Sequence, residues 1–193
     1  IIIKEGHAYV GKFVDKSWIY KIIISVMIRD AAPFITALIV LSRSGIAMAT
    51  EIGYMNINKE VDSLRIMGIS PLTYIVLPRI LGVSLSVILL VIYFLLIGII
   101  GGYIVTNVFS PIPFWIFMNK LSQNMNFSDL FIMFIKSFFS GFLISFICCF
   151  HGLNVKHSFT EIPQRNIKAF AQSAFSIIFI NFIGIMFYLV FIT

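Results

Sequence analysis

Two adjacent ionisable residues, Arg29 and Asp30, stand deep in an apolar stretch, and a polar island from Glu51 to Arg79 divides two long apolar runs. An ionisable group inside a bilayer costs from about 2.5 kcal/mol upward, so it faces a bundle interior or a water-filled cavity. Neighbours on a helix point about 100° apart, so Arg29 and Asp30 are expected to pair with other helices and not with each other. Two readings stay open for them. They form a substrate-path or gating pair, or they lie at an interface within a first pass that is really two short segments.

The polar island reads as a short helix over about residues 58–68. Asn58 is placed to cap its start, and Glu60 and Asp62 put negative charge in its first turn, where the helix dipole favours it. Ile57, Val61 and Leu64 are spaced to share one face with Met67 close by, and Gly68 followed by Pro71 supplies a stop. The product is an amphipathic helix along the membrane surface. It rests on lipid or docks on a protein, and the acidic Glu60 and Asp62 weigh mildly against anionic headgroups.

Chemistry of other kinds finds little support. The sequence has no GxxxxGK[ST], HExxH or GxSxG pattern, so ATP hydrolysis or acyl chemistry is not expected from this chain. Cys148 and Cys149 are adjacent inside an apolar run and read as small apolar residues, and His7, His151 and His157 lack ligand spacing. No enzyme activity, cofactor or metal is expected. Work done by this protein must draw its energy from elsewhere.

The elements that position these residues are membrane passes. Hydrophobic residues make up 60% of the chain and charged residues 11%. Spanning a bilayer takes about 20 apolar residues, and the runs here are continuous, unlike the alternating pattern of a barrel. The expected fold class is an all-α integral membrane protein, a polytopic helical bundle forming one domain over 1–193. Four passes fall at about 18–49, 72–105, 129–150 and 169–192. The first is the least regular, because Pro33 follows the charged pair and predicts a kink or break. Lys136 alone interrupts the third. The patterns Gly98/Gly102 and Gly45/Ala49 suit close helix packing, within one chain or between two.

The connections 51–71 and 152–168 share one side, and 107–128 lies opposite, where Pro111, Pro113 and Trp115 suggest a short surface element. The Lys/Arg bias is weak but places the first pair in the cytoplasm. The net charge of +6 comes from residues scattered near span ends, without the clustered Lys/Arg and aromatics of a nucleic-acid surface, so no nucleic-acid partner is expected.

The run Arg29-Asp30-Ala31-Ala32-Pro33, then Thr36-Ala37-Leu38, Arg43-Ser44-Gly45 and Ala49-Thr50-Glu51-Ile52-Gly53 resembles the MlaE/YrbE permeases of MCE-type lipid ABC transporters. The similarity continues through Met55, Glu60-Val61-Asp62-Ser63-Leu64, Met67-Gly68, Pro71 and Pro78-Arg79, and more weakly through Gly101-Gly102 and Gly152-Leu153-Asn154. The resemblance implies a homodimeric permease without its own ATPase, in a bacterial inner membrane or an organellar counterpart. A cytoplasmic ABC ATPase would bind below and an MCE-domain protein on the periplasmic side, with phospholipid as cargo. It turns the short helix into a coupling helix, with Val61, Leu64 and Met67 as docking contacts, Glu60, Asp62 and Arg65 as polar contacts and Gly68 as its stop. Arg29, Asp30, Arg43 and Glu51 become a transport-path or charge network near the dimer axis.

Departures accompany the resemblance. The family has an interfacial helix and a full span before this stretch, so the chain reads as an N-terminally truncated member. The usual Glu-Leu-Gly-Pro is here Asp30-Ala31-Ala32-Pro33, and the last cytoplasmic loop reads Lys156-His157-Ser158-Phe159-Thr160-Glu161-Ile162-Pro163 in place of a small, glycine-rich one. The alternative reading is an ion-coupled secondary transporter or channel subunit with Arg29 and Asp30 as its ion site.

Overall fold

The computed structural model describes residues 30–109, 113–124, 127–155 and 158–191. All regular structure among them is helical. In chain order the helices are α1 (Ala32–Val40), α2 (Ile46–Ile57), α3 (Glu60–Ile66), α4 (Leu77–Phe109), α5 (Phe114–Asn124), α6 (Phe127–Leu153) and α7 (Glu161–Phe191). A π turn over Leu41–Gly45 joins α1 to α2, and a second over Leu72–Val76 leads into α4. Four stretches are long and apolar enough to cross a bilayer: Ala32–Ile57, Leu72–Ile104, Asp129–Leu153 and Glu161–Met186. The protein is therefore an all-α polytopic membrane protein.

Several boundaries differ from those read in the sequence, and polar residues are the reason each time. The first span runs on to Ile57, because Glu51 and Asn56 stay helical by bonding to other helices. Pro33 sits in the opening turn of α1, where proline is tolerated, and the irregularity falls at Leu41–Gly45 instead. The last span begins at Glu161, with Pro163 in its first turn, so only a short connection separates it from α6. Residues 18–29 of the expected first pass lie outside the described residues. The surface element expected between the second and third passes is α5, whose Phe117 is buried and meets Tyr103 edge-on at 5.6 Å.

The core runs the length of the bundle in three clusters. Ala32, Val40, Val87, Val91, Phe117 and Met133 join α1, α4, α5 and α6. Ala37, Leu41, Ala49, Ile144, Cys148, Ala169 and Ile177 fill the middle between the first span, α6 and α7. Ile52, Val61, Ile75, Val76 and Cys149 close the end that carries α3. In lipid such helices associate through close packing and buried polar contacts more than through burial from water. Gly152 shows how close: a Cβ there would stand 2.9 Å from both Ala49 O and Ile52 Cβ across the α2–α6 crossing. Gly45 and Ala49 serve packing within the chain, both being buried against α6.

Candidate functional site

The α3 end is assembled from three connections. α2 ends at Ile57, and Asn58 closes it by donating its N–H to Tyr54 O at 3.0 Å. Asn58 is thus not the cap of α3. Lys59 takes that position in a left-handed conformation, φ 60°, with no side-chain cap, because only two residues separate the helices. Ser63 compensates by donating both its N–H (2.9 Å) and its hydroxyl (3.0 Å) to Lys59 O. Glu60 and Asp62 occupy the first turn, and Asp62 pairs with Arg65 at 3.3 Å on the exposed face.

α3 ends on a Schellman turn. Gly68, at φ 76°, donates its N–H to Arg65 O, and Ile69 donates to Leu64 O, both at 3.0 Å. A side chain in this conformation costs roughly 1–2 kcal/mol, which is why the stop is glycine.

The apolar face of α3 divides in two. Val61 is fully buried and Leu64 partly so, against Ile52, Met55, Ile75 and Ile80. Val61, expected among the docking contacts, is instead the root that holds α3 on its own bundle. Ile66 and Met67 point outward, 87% and 66% exposed, with Tyr54, Ile69, Leu72 and Tyr74 also exposed nearby in the chain. Ile66 lies off the Ile57/Val61/Leu64 face, so the spacing that picked out the helix did not select it.

Above α3, Glu51 of α2 pairs with Arg79 of α4 at 3.1 Å. Asn56 donates through Nδ2 to Leu153 O (3.0 Å) and Val155 O (2.5 Å), binding the end of α2 to the end of α6. His151 of α6 meets Gln172 of α7 at 2.8 Å.

Farther along the bundle, Asp30 receives a 2.7 Å ion pair from Lys136 of α6. The lysine side chain is 3% exposed and the aspartate 28%. Lys136 reaches it because α7 places Gly184 against its stem: a Cβ at that glycine would overlap Lys136 Cε. Lys136 is the partner that spacing alone did not identify, since the two residues are 106 positions apart. Arg29 lies outside the described residues. Arg43 stands exposed on the first π turn. Asp30, Arg43 and Glu51 therefore do not form one network among the described residues: two pair with different helices and one faces outward.

An open groove of about 450 Å³ runs between α2 and α7, lined by Ile46, Pro163, Asn166, Ile167 and Phe170. Asn166 Nδ2 donates to Thr50 Oγ1 at 2.7 Å beside it. The walls are apolar, of the kind that accepts hydrocarbon.

Four spans, an inserted short helix with an exposed apolar tip and paired charges inside the bundle describe a membrane subunit built to be moved by a partner. The family model described as Permease MlaE matches residues 1–187. The chain belongs to the MlaE permease family. This MlaE-family chain is 29% identical over 154 residues to a probable ABC transporter permease of Synechocystis, covering 80% of the chain and 59% of that relative. It is 26% identical over 180 residues to the intermembrane phospholipid transport system permease protein MlaE of Haemophilus influenzae, covering 93% of the chain and 69% of the relative. It is also 26% identical over 155 residues to the chloroplastic protein trigalactosyldiacylglycerol 1 of Arabidopsis thaliana, covering 80% of the chain and 44% of that protein. The MlaE-family chain thus spans well short of the full length of these relatives.

Proposed function

We propose that this protein is the permease subunit of an ATP-driven lipid transporter, carrying phospholipid. ATP hydrolysis resides on a separate cytoplasmic ABC ATPase subunit, and α3 is the coupling helix seated in that subunit. The α3 end then faces the cytoplasm and the opposite end the periplasm, where an MCE-domain protein receives or delivers the lipid. The membrane is the bacterial inner membrane, or its organellar counterpart, and a second permease copy completes the lipid cavity.

The observation that carries this reading is the division of α3. Val61 and Leu64 root it on the ends of the first and second spans, and Ile66 and Met67 are left for a partner. A push on the tip is then passed through packed side chains into two spans at once. The apolar groove beside α7 supports a hydrocarbon cargo, and the phospholipid named for the Haemophilus relative supports its class. The ion-coupled alternative loses its main ground, because the Asp30 carboxylate meets the protein's own ammonium.

The test is Ile66→Arg, which changes the tip without entering the core as Leu64→Arg would. Co-expressed ATPase should no longer purify with the membrane-inserted variant. Normal recovery of the ATPase would overturn the coupling role of α3.

A further inference from the structure

The coupling reading uses α3 alone, yet the same end of the bundle offers a second exposed element. The connection between α6 and α7 is a built turn. Glu161 N–H donates to Ser158 O at 3.0 Å, Ile162 N–H donates to Phe159 O at 3.3 Å, and the Ser158 and Thr160 hydroxyls meet at 2.8 Å. Its apex is Phe159, a large aromatic left more than half exposed. Phe159 rests one ring edge against Tyr54 of α2, the centroids 5.6 Å apart, and Tyr54 is itself exposed. The turn is fastened to α2 from behind by the two Asn56 hydrogen bonds to Leu153 and Val155 and by Gly53, which lies against Val155 and Ile162.

We propose that the Phe159 turn is a second seat for the same ABC ATPase subunit, flanking the α3 tip across Tyr54; this rests on the coupling role given to α3. Aromatic side chains held rigidly at low entropic cost are the usual anchors of protein interfaces. The basic residues at this end favour a protein over a lipid surface as occupant. Arg65 is paired with Asp62 at 3.3 Å and Arg165 with Glu161 at 2.9 Å, so neither guanidinium is offered to anionic headgroups.

The two seats act on different spans. α3 bears on α2 and α4, whereas the Phe159 turn is the direct lead into α7 and the exit from α6. One ATPase closing stroke would therefore reach all four spans, with the Asn56 clamp keeping the two inputs in step.

Photo-crosslinking in intact membranes tests this, with a benzoylphenylalanine placed singly at position 66, at position 159 and at lipid-exposed position 175 of the full chain co-expressed with its ATPase. Crosslinks to the ATPase from 66 and 159 but not from 175 are expected. Crosslinking from 66 alone, with 159 unreacted or labelled by lipid, overturns the second seat and leaves the α3 reading standing. No ATPase crosslink from either position overturns both. As an independent measure, Phe159→Ala should weaken ATPase binding by about ten-fold, the size of a single interface anchor. Unchanged affinity beside a loss at Ile66→Arg overturns the proposal.

Discussion

Lys136→Met is the most informative perturbation of the buried charge pair. Methionine keeps an unbranched stem against Gly184, so little packing volume is lost and the change isolates the ammonium. What disappears is a 2.7 Å ion pair whose lysine is 3% exposed, inside a membrane span. Removing one partner of a buried pair costs about 3–5 kcal/mol, because the other charge stays behind in a low dielectric. The 28% exposure of Asp30 puts the expected loss at the lower end, about 3 kcal/mol. Asp30→Asn should cost a similar amount, stranding an ammonium that is more deeply buried. The double variant removes both charges and should recover most of the loss, since apolar or neutral replacements of a whole buried pair are often close to neutral. The coupling energy of the cycle should then be at least about 2 kcal/mol. Reversible unfolding in mixed micelles, titrated with SDS and followed by circular dichroism, gives all four stabilities. Single variants that each cost under about 1 kcal/mol and add without coupling would refute the pair as a structural clamp between the first span and α6.

Three further outcomes follow from the same geometry. Gly68→Ala should lower stability by roughly 1–2 kcal/mol through its left-handed backbone while sparing membrane insertion, checked in the same SDS titration. Gly152→Val should cost roughly 1–3 kcal/mol, because the new carbon meets Ala49 O and Ile52 Cβ, and should loosen α2 from α6 as read by cysteine crosslinking across that crossing. Glu51→Gln should cost under about 1 kcal/mol, because the Glu51 side chain is 64% exposed, so a large drop in lipid transport by that variant would report a role in the transport cycle and not in folding.

The class of the protein was legible in its composition, because a bilayer leaves helices as the way to satisfy backbone groups within continuous apolar runs. Helix ends were less so. Glu51 and Asn56 resemble loop residues until Arg79 and the Leu153 and Val155 carbonyls are placed beside them, and those partners come from distant parts of the chain. The stop at Gly68 was legible because a left-handed Schellman position names its residue locally. The wheel of α3 correctly marked an apolar side, yet a wheel carries no information on whether that side meets its own bundle or another molecule. Val61 turned inward and Ile66, outside the marked side, remained free. Lys136 looked like an interruption of a span, and only the fold shows it to be the counter-charge of Asp30.

The π turn at Leu41–Gly45 makes the first span sensitive to residue count in a way its side chains do not suggest. A π turn holds one residue more than the α-helix it interrupts, and each residue of an α-helix advances the following ones by about 100°. Ser42 and Arg43 face outward, so substitutions there meet few neighbours. Deleting either one would let the turn relax to an α-helix and rotate everything beyond it. Asn56 would swing off the Leu153 and Val155 carbonyls, Glu51 off Arg79, and the root of α3 off its seat. The segment behaves like the phase setting of a crankshaft: its surface can be altered, but its length times the stroke.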